Sequence, residues 1–176
     1  MIDPNSTIWV IDTSSLINVK ELVTPEHRQS VFNELTNICN EGRILFPPEV
    51  LAELKNGAKA GRPDLPLDWA KQNRKLACRF GRCNDELSHV MNDPVAQLTP
   101  DPNQTDGEDD ADPHVLATAL KAVSLVDKVV VVTQESRKHP PQVALNVAAG
   151  SLGFPSINLY VLLIELGIWK DELTNR

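Results

Sequence analysis

The chain has 176 residues, of which 41% are hydrophobic and 23% charged, and its formal net charge is -7 at pH 7. These values are typical of one globular domain, and they exclude a surface that is basic overall, so nucleic-acid binding would need a local basic face. The first ten residues lack the basic start of a signal peptide, and no apolar stretch is long enough to span a membrane. The few, scattered cysteines fit neither a disulfide framework nor a zinc site. We therefore expect a cytoplasmic protein that does not engage a membrane.

The first predicted element is a buried strand that ends in an acid. Residues 8–11 are all apolar, which indicates a strand covered on both faces, as in a parallel sheet. Asp12 follows at the carboxyl end of that strand, where ligands bind in open α/β sheets. The same side chain suits the N-cap of a helix that begins near Ser14, so a capping role and a metal-binding role both stay open.

Strand and helix patterns alternate along most of the remaining chain. Strands are predicted over 8–11, 44–46, 129–132 and 157–160, and helices over 14–20, 25–41, 48–56, 65–80, 84–92, 113–123, 143–149 and 161–166. This alternation predicts a three-layer α/β/α fold with a mainly parallel central sheet. At about 57–111 the pattern changes, and we expect a mostly helical and loop insert that ends in an acidic, proline-rich connector at 98–111.

Four acids fall at element ends that such a sheet can bring together, namely Asp12, Glu53, Asp112 and Glu135. Hard cations such as Mg²⁺ and Mn²⁺ take oxygen ligands, and clustered carboxylates repel one another until a cation neutralises them. Each acid also has a structural alternative: Glu53 suits a solvated helix face, Asp112 a helix N-cap, and Glu135 an ordinary loop.

Three further residues lie close in sequence to these acids. Asp110 and Glu49 are spare acids that can reach the same site, and His114 is expected on the surface.

Four segments together resemble the PIN-domain ribonucleases, including VapC-type toxins: I-D-T-S-S, E-V-L-A-E-L, D-P-H-V-L-A-T-A-L and V-V-V-T-Q-E. Within that family the chain looks most like an uncharacterised PIN-like group, the DUF4411 type, that carries D-T-S-S and T-x-E. The resemblance implies that Asp12, Glu53 and Asp112 bind metal, with Ser14 as the small polar residue beside the first acid. Thr133 and Glu135 would then fill the fourth motif, where the family usually has T-x-D, and Ser14 and Thr133 would contact the substrate.

The chain departs from the family pattern in three places. Glu135 is one methylene longer than the usual aspartate, which could weaken a second metal site. The insert at about 57–111 is longer than a minimal PIN domain carries, and a polar segment, Asp3–Thr7, precedes the first strand. None of these departures removes a predicted ligand.

The resemblance also implies an activity and partners. It predicts an endoribonuclease that hydrolyses RNA phosphodiester bonds with one or two Mg²⁺ or Mn²⁺ ions. It further implies a toxin held in check by a small antitoxin protein, and pairing of the chain as a homodimer.

A basic segment is the predicted contact with RNA phosphates. Lys71, Arg74, Lys75, Arg79 and Arg82 recur at three- and four-residue steps, so they would share one face of a helix. The alternative is an ordinary charged helix surface. The aromatic residues of the same segment, Trp69 and Phe80, are expected in the core or in a dimer contact rather than stacked on bases.

Two other functions stay open. A PIN-like domain with a weak metal site, in which Glu135 is the first suspect, would be a non-catalytic nucleic-acid-binding or protein-interaction module. A small-molecule phosphohydrolase is the weaker alternative. Ser14 stands where a D-x-D motif needs its second acid, and the chain has no glycine-rich phosphate loop.

Overall fold

The computed structural model describes residues 2–59, 62, 64–94, 96, 110–135 and 143–174. Its strands are β1 (Thr7–Ile11), β2 (Ile44–Leu45), β3 (Lys128–Val132) and β4 (Ser156–Ile157). Its α-helices are α1 (Thr13–Leu22), α2 (Arg28–Asn40), α3 (Pro48–Gly57), α4 (Leu65–Ala77), α5 (Asn84–Asn92), α6 (Ala111–Ala122), α7 (Leu145–Ser151) and α8 (Leu159–Glu165). Short 3₁₀ helices cover Pro25–His27 and Asp171–Leu173.

The four strands form one parallel sheet in the order β2-β1-β3-β4. The two longest strands, β1 and β3, are neighbours at the centre, with Trp9 paired to Val130 and Ile11 to Val132. Helices cover this sheet in a three-layer α/β/α arrangement, which confirms the predicted fold class. Because every strand points the same way, all carboxyl ends meet at one edge of the sheet, which we call the carboxyl edge.

The central strands are buried on both faces, as their uninterrupted apolar sequences predict. Ile8, Val10 and Ile11 of β1, and Val131 and Val132 of β3, have no exposed surface. A polar side chain within the buried part of either strand would be inaccessible to water. The first positions that can carry polar functional groups are therefore those just after each strand.

Helix α6 is buried on nearly all sides rather than along one stripe. Residues 111–119 are all buried, because the helix packs against β1 and β3 on one side and against α5 on another. A sequence rich in alanine permits this close double contact. Asp112 and His114 are consequently carried into the interior by the first turns of an enclosed helix.

Helix α4, in the predicted insert, packs into the same core through its tryptophan. Trp69 is 3% exposed, and its ring centroid lies 5.6 Å from that of Phe32 and 5.8 Å from that of Phe46. Its indole N–H donates to the Thr36 hydroxyl at 2.9 Å, which satisfies the one polar atom of the ring. The expectation that Trp69 is a core residue is confirmed, and the ring is not available to stack on bases.

Several predicted boundaries differ from the structure, and two carboxyl-terminal ends are wrong by three residues. The helix expected to reach residue 80 ends at Ala77, with the Cys78 amide closing its last turn onto the Arg74 carbonyl at 2.9 Å. The strand expected over 157–160 ends at Ile157, because the Asn158 side chain accepts the Val161 amide at 2.9 Å and so begins a helix.

Part of the predicted insert cannot be compared with the structure. The acidic connector expected at 98–111 lies outside the described residues, apart from its last two positions. Among the residues that are described, no helix has both the length and the apolar character needed to cross a membrane.

The packing of Trp69 gives a prediction about stability. Replacing Trp69 with alanine should lower the free energy of unfolding by about 3–5 kcal/mol, because the cavity would lie between Phe32 and Phe46. Urea unfolding measures this loss. The matched control is L76A on the same helix, where the side chain is 42% exposed and the loss should stay below about 1 kcal/mol. Equal losses in the two variants would contradict the core position of the tryptophan.

Candidate carboxylate site

The candidate site lies where β1 and β3 end side by side. Ile11 pairs with Val132, so the residues that follow them, Asp12 and Thr133, leave the sheet together. The Asp12 amide donates to the Val132 carbonyl at 3.1 Å, and the Thr133 hydroxyl donates to Asp12 Oδ2 at 2.6 Å. The first and fourth predicted motifs, far apart in the sequence, are therefore in direct contact.

Asp12 is a buried carboxylate held by several donors. Asp12 is only 2% exposed, and its Oδ2 also accepts a hydrogen bond from the Ser14 hydroxyl at 2.7 Å. Oδ1 accepts the Ser15 amide at 2.8 Å, which makes Asp12 the N-cap of α1. Burial raises the pKa of Asp12 above its ordinary value, while these hydrogen bonds act in the opposite direction. The capping role is thus confirmed, and it places the carboxylate within the site.

The hydroxyl groups of Ser14 and Thr133 determine the direction of the hydrogen bonds in this network. The Ser14 oxygen accepts the Gln134 amide at 3.1 Å, and the Thr133 oxygen accepts the Glu135 amide at 3.0 Å. Because each hydroxyl has one hydrogen and receives a backbone N–H on its oxygen, each is set up to donate that hydrogen to Asp12. Ser14 and Thr133, predicted beside the substrate, here bind and orient the carboxylate.

Glu53 joins the start of α1 to the start of α6. It is half-buried on α3, its Oε2 accepts the Thr13 hydroxyl, and its Oε1 accepts the Ala111 amide at 3.0 Å. Burial raises the pKa of Glu53, and the negative charges of Asp110 and Asp12 raise it further, against the lowering effect of its hydrogen bonds. A solvated helix face, the structural alternative for Glu53, is therefore wrong.

Helix α6 brings two more acids to the same place. Asp110, rather than Asp112, is its N-cap, because the helix begins at Ala111 and Asp110 Oδ1 accepts the Asp112 amide at 3.0 Å. The expectation that Asp112 caps this helix is wrong. Asp112 lies in the first turn and is 9% exposed, so its carboxylate is drawn into the interior.

Glu135 makes a contact that the sequence did not suggest. Its Oε2 accepts the Leu145 amide, the first of α7, at 3.3 Å. This carboxylate therefore links the end of β3 to the start of α7, and the alternative of an ordinary loop residue is not what the structure shows.

A second buried carboxylate, Glu49, lies one helical turn before Glu53. It is 4% exposed, its Oε1 accepts Arg82 Nε at 2.9 Å, and its Oε2 lies 3.6 Å from His114 Nδ1. His114 is 6% exposed, so the expected surface position of this histidine is wrong. The cluster joins α3 to α6, the two helices that carry Glu53 and Asp112. The paired glutamates of E-V-L-A-E-L were the signal that could have identified it.

The predicted basic face is not a single face. Because α4 ends at Ala77, Arg79 lies beyond the helix and donates to the Gly42 carbonyl at 3.2 Å, while Arg82 turns to Glu49. Lys75 and Arg79 line a pocket with residues that precede the strands, at the edge opposite the acids. Arg74 is exposed on α4. The structure therefore does not bring Lys75 and Arg79 to the carboxylates.

The donor set suits a hard divalent cation, although the described side chains do not yet enclose one. Within the described part of the chain, no three or more His, Cys, Asp or Glu side chains are grouped so that they could hold a metal ion. The acids at this edge nevertheless offer only oxygen donors, and burial, together with the charges of Asp110 and Asp12, raises the pKa of Glu53. A bound cation would stabilise the charged form of these carboxylates, because it supplies the opposite charge that burial denies them.

The raised pKa of Glu53 predicts how stability depends on pH. In the range from about pH 4 up to the raised pKa, the folded state binds more protons at this position than the unfolded chain. The free energy of unfolding of the wild type should therefore fall relative to that of E53Q as the pH rises through this range.

Urea unfolding of the two proteins at a series of pH values measures this difference. The control is E34Q, an exposed position on α2, whose difference from the wild type should not follow the same trend. A wild type that gains stability relative to E53Q as the pH rises would contradict a raised pKa.

The model of a family described as a domain of unknown function (DUF4411) matches residues 9–169. No curated protein matches the chain. The matched range includes all four predicted acids, the whole of β3 and the last three residues of β1.

Proposed function

We propose that this chain, which belongs to the DUF4411 family, is a PIN-like, metal-dependent endoribonuclease. The observation that carries the proposal is a pair of carboxylates, the buried Asp12 and the half-buried Glu53, at the carboxyl edge of a parallel sheet. Ligands bind at this edge in open α/β sheets, and perturbed carboxylates in such a place are candidates for chemistry.

Asp12, Glu53 and Asp112 are the residues that would hold Mg²⁺ or Mn²⁺, with Glu135 as a further ligand if two ions bind. When bound, such an ion lowers the pKa of an attacking water and neutralises charge on the phosphate. Binding would require Asp12 and Glu53 to exchange part of their present hydrogen bonding for the cation, since no described group already encloses one.

The hydroxyl network has a definite task in this mechanism. Because Ser14 and Thr133 both donate to Oδ2 of Asp12, they hold that carboxylate in one orientation and favour its charged form. The backbone amides of Gln134 and Glu135 keep the two hydroxyl groups directed at Asp12. Asp12 is therefore oriented before any ligand arrives, which lowers the cost of ordering it on binding.

Several finer parts of the proposal rest on the sequence resemblance alone. They are the choice of RNA as substrate, the role of a toxin, a small antitoxin as partner, and the homodimer. The proposed cytoplasmic location also rests on the sequence.

One structural observation favours a second candidate, a non-catalytic nucleic-acid-binding or protein-interaction module. The described acids do not enclose a metal site, and Lys75 and Arg79 lie at the opposite edge of the sheet from them. Assays of metal binding and of RNA cleavage distinguish this candidate from the nuclease.

Cleavage of a mixed RNA pool tests the nuclease directly. Purified protein should cut in the presence of Mn²⁺ or Mg²⁺ and not with EDTA, because the proposed hydrolysis depends on a divalent cation held by these acids. D12N and D112N should each lose at least about 100-fold in rate, since each removes a proposed ligand charge. Gel analysis of end-labelled fragments measures the rate and shows the cut positions.

The matched control is D127N, an exposed aspartate before β3 at the edge opposite the site, which should cleave like the wild type. Cutting that survives EDTA, or that D12N and D112N both retain, would exclude this carboxylate site as the origin of the activity.

Metal binding can be tested without any substrate. A ligand that binds only the folded state at 100 times its Kd stabilises by about 2.7 kcal/mol, or about 5–10 °C in Tm for a chain of this size. Mn²⁺ should therefore raise the Tm of the wild type in a thermal unfolding scan, and E53Q should lose most of that shift. If Mn²⁺ leaves the wild-type Tm unchanged and no metal supports cutting, the non-catalytic module is the better description.

A further inference from the structure

A second concave site lies at the edge of the sheet opposite the carboxylates. It is a pocket of about 600 Å³, which we call the amino-edge pocket, and its walls come from segments that precede β1, β2 and β3 and from the end of α4. Its volume falls within the range of about 300–1,000 Å³ typical of ligand pockets. The proposed nuclease chemistry has no use for this pocket, because the acids lie across the full length of the strands from it.

The charge of the amino-edge pocket is positive. Lys75 and Arg79 both line it, and neither has an ion-pair partner among the described residues. Arg79 donates to the Gly42 carbonyl at 3.2 Å, and burial lowers its pKa, so its charge is partly desolvated without an anion beside it. Glu41 is the one acid among the described lining residues, and it forms an ion pair with Arg43 at 3.0 Å.

The remainder of the lining is largely apolar. Leu76 is 42% exposed and Leu125 is 36% exposed, and both face the pocket together with Ile2 and Pro4. Large apolar side chains left open to solvent within a concave surface mark a place where an apolar group binds. An occupant would therefore bury its own apolar side chain here while presenting an anion to Lys75 and Arg79.

We propose that the amino-edge pocket binds a short acidic segment of a partner protein, in which a leucine-like side chain lies next to an aspartate or glutamate. A carboxylate can pair with the guanidinium of Arg79 through two parallel hydrogen bonds, and the neighbouring apolar side chain fits against Leu76 and Leu125. RNA fits less well. Its repeated phosphates would need a longer row of cations, and Glu41 lies in the wall.

A peptide selection tests the proposal on the full chain. A random twelve-residue library displayed on phage is selected on the wild type. Enriched sequences should contain Asp or Glu beside Leu, Ile or Met. The best sequence is then made as a fluorescent peptide, and its Kd is measured by anisotropy.

R79Q and K75Q should each weaken this peptide at least 10-fold, and L125S should weaken it similarly. R74Q, an exposed arginine on α4 outside the pocket, is the matched control and should bind like the wild type. Unfolding in urea shows whether each variant is folded. If R79Q does not fold, K75Q still tests the proposal. Asp12 and its neighbours are untouched in all four variants, so failure of the nuclease proposal would not affect this result.

Three outcomes would overturn the proposal. The first is selection of sequences without acids. The second is binding that R79Q and K75Q both leave intact. The third is a single-stranded RNA oligonucleotide that binds this pocket more tightly than any selected peptide and is displaced by none of them.

Discussion

The direct pairing of β1 with β3 is the constraint on which the whole candidate site depends. The two strands are neighbours in register, so Asp12 and Thr133 leave the sheet at the same height and come within 2.6 Å of each other. Apart from their first residues, Thr7 and Lys128, both strands are apolar and buried, so polar side chains at the carboxyl edge begin only where the strands end. Were either strand to slip by one residue, its side chains would change faces and the contact would be lost.

Electrostatics explains why this contact is more than a helix cap. Each hydrogen bond to the charged Asp12 side chain contributes about 1.5–3 kcal/mol, whereas removing a carboxylate from water costs several kcal/mol. The pKa of Asp12 is raised, so the cost of burial exceeds the gain from its donors. Burial also raises the pKa of Glu53, and the negative charges of Asp110 and Asp12 raise it further. The carboxyl edge therefore holds negative charge that a cation would stabilise.

Contacts between helices keep these acids in place. Glu53 accepts the Ala111 amide, and Glu49 one turn earlier binds Arg82 and lies close to His114. Both contacts connect α3 with the beginning of α6, so the separation between Glu53 and Asp112 is set by two attachments rather than one. The opposite edge of the sheet has different chemistry. Lys75 and Arg79, which have no ion-pair partner among the described residues, lie there beside exposed leucines. One α/β/α core thus presents two ends of contrasting charge.

The sequence by itself determined the strands, the order of the elements and the α/β/α class, because uninterrupted apolar runs and helical spacing are local signals. It also identified Asp12, Glu53, Asp112 and Glu135 as the acids at element ends. Only the tertiary structure decided what each acid contacts. Whether Asp110 or Asp112 caps α6 depends on one backbone amide, and the burial of Glu49 and His114 depends on α3 meeting α6. It also separated Arg79 from the acids, because α4 ends at the far edge of the sheet, where Lys75 within the helix and Arg79 just beyond it line one pocket. No periodicity in the sequence records which edge of a sheet the end of a helix meets.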